Sequence, residues 1–96
     1  MATVMMMHWP EVTKEQYETV RKDVNWEGQA PRGARLHVAW FAQDGFRVVD
    51  VWSSQGDFET FLGERLNPGV QRAGIKGQPK VTYSECHAIF APNPKL

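Results

Sequence analysis

Leu36-His37-Val38-Ala39-Trp40-Phe41, then Asp44-Gly45, then Phe46-Arg47-Val48-Val49-Asp50-Val51-Trp52 decide how this chain is built. Two runs rich in β-branched and aromatic residues flank an Asp-Gly turn signal, the pattern of a β-hairpin. Ser53-Ser54 leads directly into a segment with Phe58, Phe61, Leu62 and Leu66 at helical spacing. Upstream, Val4 to Trp9 reads as a strand stopped by Pro10. Thr13 and Gln16 have the spacing of a capping box, and Tyr17, Val20 and Val24 then mark one helical face. Gly28, Pro31 and Gly33 make the loop before the hairpin. Downstream, Ser54 is the expected N-cap of the second helix, with Asp57 in its first turn. Pro68 is expected to break or re-initiate that helix after Asn67, and Gly74 to end its second piece. Val81 to Phe90 reads as the last strand, stopped by Pro92. The order is β-α-β-β-α-β, an α+β, ferredoxin-like architecture with a four-stranded antiparallel sheet in the order 4-1-3-2.

A two-residue Asp44-Gly45 turn of type I′ places His37 opposite Trp52, Ala39 opposite Asp50 and Phe41 opposite Val48. One face of the hairpin then carries Leu36, Val38, Trp40, Val49 and Val51, all apolar, while the other groups His37, Asp50 and Trp52. A slip of one residue in one strand scrambles that partition, which favours this register. The pattern leaves open which face lies under the helices. Two helices cover only one face of such a sheet. The other would expose more than the roughly 300–600 Å² of the largest patch on a soluble monomer, so a homodimer packed sheet to sheet is expected.

The 96 residues fit one domain, expected over 1–91 with a tail at 92–96. Eleven basic and eleven acidic residues cancel, leaving no basic block for nucleic acid or anionic membrane. The single cysteine, Cys86, excludes an internal disulfide framework and fits a reducing compartment. Met1-Ala2-Thr3-Val4-Met5-Met6-Met7 is apolar but lacks the basic start and cleavage site of a signal peptide. It is also too short to cross a bilayer, so a cytoplasmic protein is the expectation.

Val48-Val49-Asp50-Val51-Trp52-Ser53-Ser54 followed by Phe58 and Phe61 resembles the strand-three pattern of the dimeric α/β-barrel superfamily. That group contains antibiotic-biosynthesis monooxygenases and stress-responsive barrel proteins. Leu66-Asn67-Pro68-Gly69-Val70 also resembles the broken second helix found there. The resemblance implies a ligand chamber between each subunit's sheet and helices, with the sheets of two subunits forming the barrel. It also implies, for some members, oxygenation without a cofactor. The superfamily holds enzymes and binding proteins alike, so the fold alone does not fix an activity.

Other uses of this element order fare worse. RNA-recognition domains stack bases on aromatics within a Lys/Arg-Gly-Phe motif, and Val48–Trp52 has none. Haem-degrading relatives use an axial histidine inside the second helix, and no histidine stands between Val38 and Glu85. No glycine-rich phosphate loop implies a nucleotide or flavin, so no cofactor is expected. His-x-His, Cys-x-x-Cys and His-Glu-x-x-His spacings are missing, so no metal site is expected either. Cys86 has no base on its own strand face, because His87 next to it points the other way.

His37 with Asp50, diagonal across the hairpin, is the pair that carries chemistry. A carboxylate fixes an imidazole's tautomer and strengthens it as a general base. Trp52 shares their face and is expected to form a wall for a flat, apolar ligand, whereas Trp40 on the apolar face belongs to a dimer core. His87, Tyr83 and His8 are further candidate ligand contacts. Each has a plain structural alternative, since histidines at strand ends commonly bond backbone. Two functions follow: a cofactor-independent oxygenase for an apolar, aromatic molecule, or a non-catalytic dimer that binds such a ligand.

Overall fold

A computed structural model describes all residues, Met1–Leu96. The strands are β1 (Thr3–Trp9), β2 (Ala34–Ala42), β3 (Gly45–Trp52) and β4 (Lys80–Glu85). Helix α1 (Lys14–Val24) follows β1. After β3 come α2 (Gln55–Phe61), a π-helical turn (Leu62–Leu66) and α3 (Asn67–Ala73). The four strands form one antiparallel sheet in the order β2-β3-β1-β4, the ferredoxin-like arrangement expected.

The local signals act where the sequence puts them. Thr13 accepts from the Gln16 backbone at 3.1 Å while the Gln16 side chain accepts from the Thr13 backbone at 3.0 Å, a complete capping box. Ser54 caps α2 by accepting from Asp57 N–H at 3.1 Å. Gly74 ends α3 with φ of 70°. Gly69 is buried where α3 crosses α1, and a Cβ there would stand 2.6 Å from a Val24 methyl. Glycine lets the two helices approach closely.

Two expectations need correction. The hairpin turn is Gln43-Asp44, with Ala42 paired to Gly45, so His37 lies directly opposite Asp50 and Ala39 opposite Val48. Gly45 takes the positive φ, 115°, and neither turn residue does, so the turn is not type I′. A Cβ on Gly45 would meet Pro10 Cα at 2.6 Å, which ties this glycine to the end of β1. The shift moves each pairing by two positions on β3 and keeps the facial partition intact.

At Pro68 the helix is re-initiated, one of the two outcomes expected there. The α-helical ladder of α2 ends at Phe61, a π turn follows in which Asn67 N–H donates to the Leu62 carbonyl, and α3 starts at Asn67 with Pro68 in its first turn. Re-registering the ladder just ahead of a residue without an N–H absorbs the lost bond. The second correction is that β4 stops at Glu85 rather than Phe90. Cys86 N–H still donates to Ala2 O at 2.8 Å, one residue ahead of the start of β1 at Thr3.

The core fills the space between sheet and helices. Met5, Met7, Trp9, Phe46, Val48 and Trp52 on the sheet meet Val20, Val24, Phe58 and Phe61. The opposite face carries no helix, and there Met6, Val38 and Trp40 stay 49%, 46% and 39% exposed. Parity therefore answers the question the pattern left open: His37, Asp50 and Trp52 lie on the helix-covered side.

Candidate functional site

A cavity of about 650 Å³ lies between the sheet and the helices. Most of its lining is apolar, and Tyr17, Trp26, His37, Asp50 and Trp52 gather on one wall. That composition, greasy walls with few placed polar groups, is the usual make-up of a small-molecule pocket.

Asp50 anchors the polar wall. It is buried, 5% exposed, in the middle of β3. Its Oδ1 stands 2.7 Å from His37 Nδ1 on the neighbouring strand, and its Oδ2 accepts from the Trp52 indole N–H at 3.0 Å. Both carboxylate oxygens are therefore engaged, and no buried side-chain nitrogen or oxygen lacks a partner. Burying a carboxylate without such partners would be strongly unfavourable.

His37 continues the chain. A carboxylate only accepts, so in the neutral imidazole Nδ1 carries the proton and Nε2 is left as an acceptor. Tyr17 Oη lies 2.8 Å from that Nε2 and donates to it. The Tyr17 and His37 rings are nearly parallel, 12° apart, with Trp26 edge-on to the imidazole at 5.3 Å between centroids. Phe46 packs against Tyr17 at 5.2 Å. Burial pushes the Tyr17 phenol up to about 12, so it stays protonated at neutral pH. The result is a continuous run of hydrogen bonds, Tyr17–His37–Asp50–Trp52, along the cavity wall.

The other candidates lie elsewhere. Tyr83 is on the covered side of β4 but packs edge-on against Phe58, 6.2 Å between centroids, away from the cavity. Its phenol too is raised by burial. His8 faces the open side, where its Nε2 bonds the Asp44 carbonyl at 2.8 Å in the hairpin turn. His87 lies past the end of β4 and is exposed. Of the six residues singled out, His37, Asp50 and Trp52 come together at the cavity and these three do not. No three His, Cys, Asp or Glu side chains converge as metal ligands would.

Tyr17 and Trp26 join the site from α1 and the loop after it. In sequence, Tyr17 reads as the first member of an apolar helical stripe and a candidate anchor without independent support, and Trp26 as one of four tryptophans available to line an aromatic chamber. Only the seating of α1 over β2 and β3 brings them to His37.

No protein-family model matches the sequence, and no curated protein matches it. Solved structures do match in shape. SnoaB, a cofactor-independent oxygenase from Streptomyces nogalater, aligns with a TM-score of 0.64 at 12% identity, covering 96% of this chain and 97% of that one. An antibiotic biosynthesis monooxygenase aligns with a TM-score of 0.61 at 11% identity, over 92% of this chain and 100% of the other. A protein of unknown function from Nitrosomonas europaea aligns at 0.63 and 13% identity, over 96% and 94%. At these identities the likeness speaks of architecture. The chain has a ferredoxin-like α+β fold, the one seen in these antibiotic-biosynthesis-monooxygenase structures.

Proposed function

We propose that this protein is a cofactor-independent oxygenase whose cavity takes an apolar, flat, enolisable aromatic molecule. The observation that carries this reading is the His37–Asp50 contact of 2.7 Å on the wall of a large apolar cavity. His37 is the base, Asp50 holds its tautomer and balances the imidazolium, and Trp52 is the wall that orients the ring system. Removing a proton from a methylene flanked by aryl rings leaves a carbanion electron-rich enough to react with O₂. The methylene carbon then becomes a carbonyl, and water carries away the second oxygen atom and both hydrogens. In a dry cavity the developing charge is met by fixed groups rather than by solvent.

The same reading takes the protein as a cytoplasmic homodimer, with the uncovered sheet face as its interface. Met6, Val38 and Trp40 form the exposed apolar patch that a second sheet would bury. Trp40→Lys is then expected to convert a dimeric mass in light scattering to a monomeric one. A wild-type protein that is monomeric at every concentration would remove the barrel from this reading.

The test of catalysis is turnover of an electron-rich anthrone under oxygen. His37→Ala and Asp50→Asn are expected to lower it by about 10²-fold or more, with the protein still folded. Full turnover in both variants would overturn the catalytic assignment. One observation favours a non-catalytic binder instead. The run of hydrogen bonds is closed, with Nε2 already bonded to Tyr17. Under that alternative the same variants weaken binding modestly and no reaction is lost.

A further inference from the structure

The basic lone pair of the proposed catalytic pair is covered. His37 Nδ1 faces Asp50 and Nε2 faces Tyr17 Oη at 2.8 Å. Trp26 stands against the ring edge-on and Tyr17 lies nearly parallel to it. Both side chains line the cavity, but the two ring nitrogens of His37 are already bonded. The group with a lone pair left for a bound molecule is therefore the phenol oxygen of Tyr17. That oxygen donates its one proton to His37 and keeps lone pairs free to accept another. Tyr17 itself lines the cavity.

We propose that Tyr17 is the catalytic group that takes the substrate's proton, and that His37 and Asp50 act through it. This rests on reading the cavity as a site of proton abstraction. The step is a double transfer. The C–H bond of the substrate breaks and its proton bonds to Tyr17 Oη, while the Tyr17 O–H bond breaks and that proton bonds to His37 Nε2. The electron pair of the C–H bond stays on the substrate as a carbanion delocalised into its rings. Tyr17 ends as it began, a neutral phenol, and the imidazolium is balanced by the Asp50 carboxylate. Burial raises the Tyr17 phenol, so a free phenolate is the costly species here. The double transfer never forms it.

Trp52 has a part in this arrangement. Its indole N–H on Asp50 Oδ2 leaves Oδ1 turned toward His37. An amide at position 50 would set its NH₂ against one of two donors. The imidazole would have to change tautomer, and Nε2–H would then donate to Tyr17 instead of accepting from it. Asp50→Asn thus reverses the direction of the run and removes the acceptor, although every bond has a counterpart.

The probe is anthrone in D₂O under argon, with loss of its methylene proton signal followed by NMR. Without oxygen this reads proton transfer alone. Binding is followed separately by quenching of tryptophan fluorescence, and folding by thermal melts. Wild-type protein is expected to accelerate exchange over buffer. Tyr17→Phe and His37→Gln should each lower it by about 10²-fold or more while anthrone still binds. Groups that act as a unit are not additive, so the double variant should be no slower than either single one. Normal exchange by Tyr17→Phe with loss in His37→Gln would overturn the role of Tyr17 and leave His37 acting directly. A wild-type protein no faster than buffer would overturn proton abstraction itself, and the Tyr17 role with it.

A second measurement guards against a Tyr17→Phe variant that fails to fold. Only two tyrosines are present, so Tyr83→Phe leaves Tyr17 alone, and fluorotyrosine can then be incorporated there. The more acidic phenol should change the exchange rate several-fold against the same protein with ordinary tyrosine. An unchanged rate would overturn the assignment.

Discussion

Met5 and Met6 are adjacent in β1, yet the first is 1% exposed and the second 49%. Most of the sheet divides in the same way, although Val51 on the open face is 5% exposed. On the covered face, Met7, Phe46, Val48 and Trp52 disappear beneath α1, α2 and α3, and the polar groups there partner one another. On the open face, Met6, Val38 and Trp40 stay in contact with solvent while His8 is bonded to the hairpin turn. Hydrophobicity does not tell which face the helices cover, since both carry large apolar side chains. What separates them is which side the helices close, and a polar run is kept only where the protein can satisfy every member. The covered face borders a cavity, and the open face leaves an apolar patch in solvent.

That comparison can be broken from either side. The largest effect should come from Phe58→Ala, which empties a side chain 1% exposed at the centre of the covered face. A loss of about 3–5 kcal/mol in denaturant melts is expected, and a loss below about 1 kcal/mol would mean that the helices do not pack as described. Asp50→Asn should cost about 1–3 kcal/mol, because one donor among Trp52 and His37 must lose its acceptor or change tautomer. Nitrogen NMR of the His37 ring would register the tautomer change directly.

Alkaline pH tests the covered face through Tyr17. Its phenol is raised from 10.0 to about 12, so between those values the folded chain holds a proton that the unfolded chain releases. Stability is therefore expected to be full below pH 10 and to fall as pH rises toward 12, with Tyr17→Phe flattening that fall. The check is a set of melts across this range alongside phenolate absorbance. The smallest effect on the single chain should come from the open face. Trp40→Lys is expected to change the stability of an isolated chain by no more than about 0.5 kcal/mol. If two copies pair through that face, the wild-type midpoint should rise with protein concentration and the variant's should not.

The legible part of the site was its parity. Alternation along β2 and β3 puts His37, Asp50 and Trp52 on one face in any register that respects the turn, and the sheet keeps that partition. The register itself was misplaced because both pairings preserve the same partition, and Asp44-Gly45 suits either. The hydrophobic pattern has no means of choosing between them. The end of β4 was also beyond it. Val81 to Phe90 has strand composition throughout, but a strand lasts only as long as its neighbour, and β1 starts at Thr3. Pro68 reads as a break or a restart because proline lacks an N–H, and the structure takes the restart, after a π turn.

From the sequence alone came the element order, both helix caps and the residues that share each face, because those follow from local hydrogen-bonding chemistry and from the periods of strand and helix. Tertiary structure alone decided which face the helices cover and that Tyr17 reaches His37, twenty positions away in the chain, to complete the run to Asp50. A contact between a helix and a sheet depends on how their side chains pack. No period within either segment encodes it.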